Sequence, residues 1–317
     1  MRVRSIDAFR GLAIVLMVFF TLTFVFSRSL PDLITHNVAG SLHLGDFVLP
    51  LFLFASGMSL VFFHEKRKGN KAREYILDVI ERFGKLVLIS FFISPFSAGG
   101  FLQMDEVMLS AVLFLVCILL IGLPDTLLVL IALAVFGLYF ALSDLSLLPD
   151  FSAYYLGGYP AAIFYLPVML GGVIAGKRVM ERKELTTALL GAGMLFVVLL
   201  LIVPPYKSDA TPSFMALSIL LSLVVFVLVE TALKQLNKKR EGVLEYLGRQ
   251  PIRYWVLMFV MVKIPVEVYA FSAGLELPLE LGWTNAVLIA VVCVPVLYAV
   301  SKGIDLILLK PQPKKKR

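Results

Sequence analysis

Charge is what this chain has least of. Lys, Arg, Asp and Glu make up 16% of its 317 residues, against 60% hydrophobic residues and a mean hydropathy of +0.92. An ordinary soluble domain is about 25% charged and about 45–50% apolar, so a water-soluble fold, which could not hide this much apolar surface, is excluded. Cysteine is nearly absent. Cys117 and Cys293 both sit within apolar runs, which excludes a disulfide framework and leaves two small buried hydrophobes. No Cys/His cluster has metal spacing, and no P-loop, G-x-S-x-G or Rossmann glycine pattern occurs. No metal is therefore expected.

What the chain has in quantity is apolar runs of about 20 residues, the length that crosses a hydrocarbon core of roughly 30 Å. Ten segments qualify: 6–27, 44–63, 74–95, 105–122, 124–142, 160–177, 185–204, 212–235, 250–271 and 283–309. The first run, Ile6 to Phe26, is longer than a signal-peptide core and is followed by no small-x-small cleavage pattern, so it counts as a membrane helix. Turn residues or charge separate the runs, as at Arg28 to Pro31, His64 to Arg73 and Gly122 to Pro124. The expected fold is a single all-α integral membrane domain over residues 1–317, a polytopic bundle of about ten transmembrane helices.

Lys and Arg fall almost wholly on one side of alternate loops. That side receives Arg2, Arg4 and Arg10, Lys66 to Arg73, Lys177 to Lys183, Lys234 to Arg249 and the tail from Lys310 to Arg317, whereas the other side's loops hold only Arg28 and Lys207. By the positive-inside rule the basic side is cytoplasmic, and an even number of spans puts both termini there. The expected place is the cell membrane. This bias accounts for the net charge of +7 without a nucleic-acid partner, and the basic tail 310–317 holds the last helix against anionic headgroups.

Ionisable side chains inside apolar spans are costly and therefore informative. Asp7 and Arg10 share a face at the inner end of the first helix, the pattern of a snorkelling arginine beside a helix-cap aspartate or of a ligand site. Arg82 and Lys85 lie deeper in the third helix than headgroup anchoring requires. Lys263 and Glu267, four apart in the ninth, can neutralise each other. The outer segment 31–50 holds His36 and His43, then Asp46 at the mouth of the second helix. A neutral imidazole near a carboxylate suits general-base work near pH 7, and His43 with Asp46 equally suits a helix cap.

Two of these regions carry a resemblance. Asp7-Ala8-Phe9-Arg10-Gly11-Leu12-Ala13-Ile14-Val15-Leu16-Met17-Val18 is similar to the D-x-x-R-G-L-A-x-x-L-M-V opening of the heparan-α-glucosaminide N-acetyltransferase family of transmembrane acyltransferases. Asp46-Phe47-Val48-Leu49-Pro50-Leu51-Phe52-Leu53-Phe54, with Gly57 and Ser59, resembles its second motif, and His36 stands where the family's histidine precedes it. Shorter echoes are Gly171 to Lys177, Pro204 to Pro212 and Leu247 to Pro251. Thr21 departs from the pattern, because relatives carry Asn or His there and threonine cannot act as a base near neutral pH.

The resemblance implies acetyl transfer from cytosolic acetyl-CoA to an amino or hydroxyl group of a sugar or glycoconjugate outside. His36 would be the general base or a transient acetyl carrier, and Asp46 would orient it or the acceptor. Asp7, Arg10, Arg82, Lys177, Arg249 and Arg253 would form the acetyl-CoA site, its cations meeting the phosphates. Small residues such as Gly171, Gly172 and Gly176 would let the pantetheine arm pass between helices. A homodimer is compatible with the resemblance, though no residue demands one. The alternatives are a carrier for a lipid-linked or anionic small molecule, and an inactive subunit of an envelope complex.

Overall fold

A chain this apolar can satisfy its backbone N–H and C=O groups away from water only by pairing them within itself, and helices do so locally. The computed structural model describes residues 3–27, 29–31, 34, 42–69, 71–97, 104–144, 158–207, 210–236, 242–275, 277 and 279–308. Each of the ten anticipated segments is helical: α1 (Arg4–Phe26), α2 (Val48–Arg67), α3 (Ala72–Ser97), α4 (Glu106–Leu120), α5 (Asp125–Asp144), α6 (Gly158–Met180), α7 (Thr186–Leu200), α8 (Pro212–Leu236), the pair α10 (Pro251–Met258) and α11 (Ile264–Ser272), and α12 (Trp283–Leu308). A short helix that the hydropathy pattern did not announce, α9 (Val243–Arg249), precedes α10. Phe259–Lys263 joins α10 to α11 as a widened π turn, in which Ile264 N–H donates to the carbonyl of Phe259. Pro265, with no N–H to give, stands immediately beyond it.

Seven of the described helices are long and apolar enough to cross a bilayer. The shortfall from ten has physical causes. At 15 residues each, α4 and α7 rise only about 22 Å, less than a hydrocarbon core. The apolar stretch of α3 is interrupted by Glu81, Arg82 and Lys85.

The bundle is fixed by close backbone contact. A Cβ at Gly57 would lie 2.2 Å from the carbonyl oxygen of Met169 on α6, and one at Gly172 2.1 Å from that of Phe54 on α2. Gly176 meets Met58 in the same way at 2.8 Å. The glycines of α6 therefore seal α6 against α2 and open no passage between them, and Gly171 abuts Ile219 of α8. Along Gly172 and Gly176 the expected route for a pantetheine arm is taken up by α2, whereas Gly171 lines a groove between α5, α7 and α8.

A second seal joins α1 to α9. A Cβ at Gly11 would stand 1.9 Å from the Leu244 carbonyl oxygen, and one at Gly248 1.7 Å from that of Asp7. Charge reinforces this contact: Arg4 holds Glu245 with two of its guanidinium nitrogens, Nε to Oε2 at 3.1 Å and Nη2 to Oε1 at 2.8 Å. Phe9 packs edge-on against Phe54 and Phe226, tying α1 to α2 and α8.

Gly11→Ala and Gly248→Ala are each expected to destabilise the protein by about 2 kcal/mol or more, because backbone cannot yield as a side chain does. Gly137→Ala in α5, where a Cβ meets nothing within 4 Å, is the control and should hold or raise stability. Thermal unfolding in detergent checks both outcomes.

Candidate functional site

The end of the bundle away from most of the lysines and arginines is organised around Asp46. A 3-10 turn, Leu44–Phe47, leads into α2. Its register is set reciprocally: His43 N–H donates to Asp46 Oδ2 at 2.9 Å, and Asp46 N–H donates to the His43 carbonyl at 3.1 Å. His43 and Asp46 are thus the helix cap that their spacing allowed. Asp46 is fully buried, and its Oδ1 lies 3.6 Å from Lys207 Nζ. Lys207 sits in the loop before α8, whose shape is held by Thr211, with its Oγ1 accepting from Tyr206 N–H at 3.0 Å. Burial pulls the Lys207 ammonium below the usual lysine range, and the neighbouring Asp46 and Glu106 carboxylates pull against that shift. His36 lies outside the described residues.

Between this end and the basic end runs a narrow cavity of about 70 Å³. One side of α1 lines it through Arg10, Ile14 and Met17, one side of α2 through Phe52, Ser56 and Leu60, and α3 through Arg82 and Leu86. Glu106, Val107, Ser110 and Phe114 of α4, Met169 of α6, and Pro251, Ile252 and Trp255 of α10 complete the wall. The spacing of three and four residues along α1, α2 and α4 is that of single helix faces. Apolar walls with a few polar groups are the usual make-up of a small-molecule site.

The cations of the cavity are positioned differently from one another. Arg10 donates from Nε to the Gly248 carbonyl and from Nη2 to Asp7 Oδ1 at 3.2 Å. The α1–α9 seal therefore also aims Arg10, and Asp7 acts on the cavity through it. Arg82 rests its guanidinium on aromatic faces, 4.9 Å from the ring centre of Phe63 and 5.6 Å from that of Phe114. Stacking leaves its N–H edge available to an anion.

The other expected cofactor residues fall elsewhere at the basic end. Lys177 donates to the Leu123 carbonyl at 2.6 Å and lies 3.7 Å from Asp125, bracing the α4–α5 turn. Arg253 pairs with Asp305 of α12, which also accepts from Tyr246 Oη at 2.7 Å. Arg249 ends α9, over the Tyr246 ring at 5.7 Å. Of the six residues assigned to acetyl-CoA from the sequence, Arg10 and Arg82 line the cavity.

Sequence reasoning did not single out Ser56, Glu106, Ser110 or Trp255. Glu106 carried a signal, as an acid at the edge of an apolar run, whereas the other three are unremarkable in sequence. Trp255 is 3% exposed, and its indole N–H has no acceptor among the described residues. A buried donor left without a partner costs about 1–3 kcal/mol, which a ligand carbonyl would offset. Deep in the bundle, Lys263 of the π turn lies 3.9 Å from Glu267. Among the described residues no three His, Cys, Asp or Glu side chains converge as metal ligands do.

No curated protein matches the chain. The sequence profile of the family described as heparan-alpha-glucosaminide N-acetyltransferase, catalytic, matches residues 2–204. The match takes in both N-terminal motifs and every wall of the cavity except α10, and it ends before Lys207, Arg249 and Arg253. An all-helical chain with seven bilayer-length apolar helices, a cavity inside the bundle and this profile over most of its length is a membrane protein that belongs to the heparan-α-glucosaminide N-acetyltransferase catalytic family.

Proposed function

We propose that this protein moves an acetyl group from acetyl-CoA, drawn from the cytoplasm, to an amino or hydroxyl group of a sugar or glycoconjugate on the outer side. The observation that carries this reading is the polarity of the cavity. Two arginines stand toward its basic end, a carboxylate stands toward the other, and apolar wall separates them. CoA is an anionic head on a long neutral arm ending in a thioester. Its phosphates suit Arg10 and Arg82, with Lys177, Arg249 and Arg253 beyond them on the same face of the bundle. The arm suits the stretch between Leu60, Leu86 and Ile252, and the Trp255 N–H suits a carbonyl on it.

On this reading the bundle crosses the cell membrane ten times, with both termini cytoplasmic, because that topology puts the basic loops inside. The short α4 is lodged among other helices of the bundle, so protein and not lipid surrounds most of it. His36 acts on the acceptor as general base or carries the acetyl group transiently. Asp46 supports the outer end from behind: with its oxygens engaged by His43 N–H and Lys207, it fixes the mouth of α2 and the loop before α8.

His36→Ala should abolish acetyl transfer without loss of folding. His64→Ala should retain it, because His64 Nδ1 is hydrogen-bonded to Tyr75 Oη at 2.9 Å at the basic end. Thiol release from acetyl-CoA by the purified variants reads both, and full activity in His36→Ala would end the assignment.

Arg10→Ala should weaken acetyl-CoA binding about 10-fold, the loss of one to two charge-assisted hydrogen bonds. Calorimetry in detergent at low salt, with free CoA alongside, measures this. Unchanged affinity would return Arg10 to a role in helix packing alone. Substrate flux without CoA consumption would favour a carrier.

A further inference from the structure

Buried charge gathers at the end of the cavity away from Arg10 and Arg82, and acetyl-CoA binding gives it no task. Glu106 opens α4 at the cavity wall, behind its N-cap Asp105, whose Oδ1 accepts from Met108 N–H at 2.6 Å and from Ser90 Oγ at 2.8 Å. Two lysines from separate elements lie within electrostatic range of Glu106: Lys207 from the α7–α8 loop and Lys263 from the π turn. Their side chains are 9% and 13% exposed. Asp46 stands beyond Lys207, Glu267 and Asp105 beside Lys263, and Arg10 and Arg82 face the same cavity from α1 and α3.

Burying two ammonium groups in an apolar bundle is expensive, and well-packed apolar residues would serve stability as well. What the two lysines share is Glu106, the one carboxylate among the described residues of the cavity wall. The face of α1 that lines the cavity at residues 10, 14 and 17 continues by helical register to Thr21, which cannot act as a base. The Asp46 carboxylate is already engaged by His43 and Lys207.

We propose that Glu106, on the cavity wall, is the base that takes the acceptor's proton, with Lys207 and Lys263 as positioning residues whose charges act on its carboxylate from a distance. The inference rests on the acyl-transfer reading. The acceptor nitrogen or oxygen bonds to the thioester carbon as the C–S bond breaks. The acceptor's proton passes to the Glu106 carboxylate and then to the departing CoA sulfur, so CoA leaves as the thiol and the carboxylate is restored. No further reactant is needed. His36 is then left to orient the acceptor.

The test uses the full chain in lipid nanodiscs with acetyl-CoA and glucosamine as the acceptor probe, read by thiol release and by the mass of the acetylated product. Glu106→Gln, nearly isosteric, should lower kcat by about 10²-fold or more while acetyl-CoA binding by calorimetry is unchanged. Its activity should recover in part as pH rises and the amine loses its own proton. Glu106→Asp should keep more activity than the glutamine variant, and Lys263→Met should shift the pH profile of kcat without weakening acetyl-CoA binding. If the wild type transfers acetyl and Glu106→Gln matches its kcat and pH profile, the assignment is overturned and acyl transfer stands. If Glu106→Gln loses acetyl-CoA binding in step with kcat, Glu106 is structural and the assignment is likewise overturned. A wild type that binds no acetyl-CoA and releases no thiol overturns the acyl-transfer reading, and the assignment with it.

Discussion

Backbone-to-backbone contact at five glycines is the constraint on which the rest of this protein depends. In a bilayer, lipid tails are as apolar as leucine, so helices gain little from burying apolar faces against one another and associate through close van der Waals packing. Gly57, Gly172 and Gly176 bring α2 and α6 to contact, and Gly11 and Gly248 do the same for α1 and α9. Phe9 packed edge-on against Phe54 sets α1 beside α2, and one side of each forms a wall of the cavity. The α1–α9 seal also delivers Arg10, because its guanidinium is held by the carbonyl of Gly248, one of the sealing residues. Packing and ligand chemistry meet at the same position.

The charges within the bundle separate into those that brace and those that face the cavity. Arg4–Glu245, Arg67–Asp78, Lys177–Asp125 and Arg253–Asp305 tie neighbouring elements at the basic end. The most exposed of them, Arg67–Asp78, contributes little, about 0–1 kcal/mol. The buried set of Asp46, Lys207, Glu106 and Lys263 is different. A charge held away from water is tolerable only where a counter-charge is fixed near it, and here the counter-charges come from the 3-10 turn before α2, the α7–α8 loop, α4 and the π turn. The cavity thus has two arginines toward one end and a carboxylate toward the other.

Several departures from the sequence reading share one cause. Glycines of α6 were expected to open a path for a long ligand arm, but a residue without a side chain lets another helix approach as readily as it lets a ligand pass. The structure takes the first course at Gly172 and Gly176. Lys177 and Arg253, expected at the ligand as cations of the inner face, each also have a carboxylate partner on an adjacent element. Helix α9 escaped notice because seven residues of mixed polarity leave no periodic signal. Ser56, Ser110 and Trp255 were silent for a similar reason: a polar atom on an otherwise apolar helix means nothing until the face it occupies is known.

The sequence by itself determined that the chain is helical and membrane-embedded, where its ten apolar segments lie and which family its N-terminal motifs resemble, because apolar run length and short motifs are local properties. Asp7 with Arg10, Arg82, and Asp46 with His43 were legible for the same reason, each lying in a motif or standing out as charge in an apolar run. Tertiary structure alone decided which of the cations line a common cavity, that Lys207 reaches Asp46 across 161 residues of chain, and that Glu106 comes within electrostatic range of two buried lysines. Those relations are set by how helices distant in sequence pack at their glycines, and no local pattern encodes which faces come together.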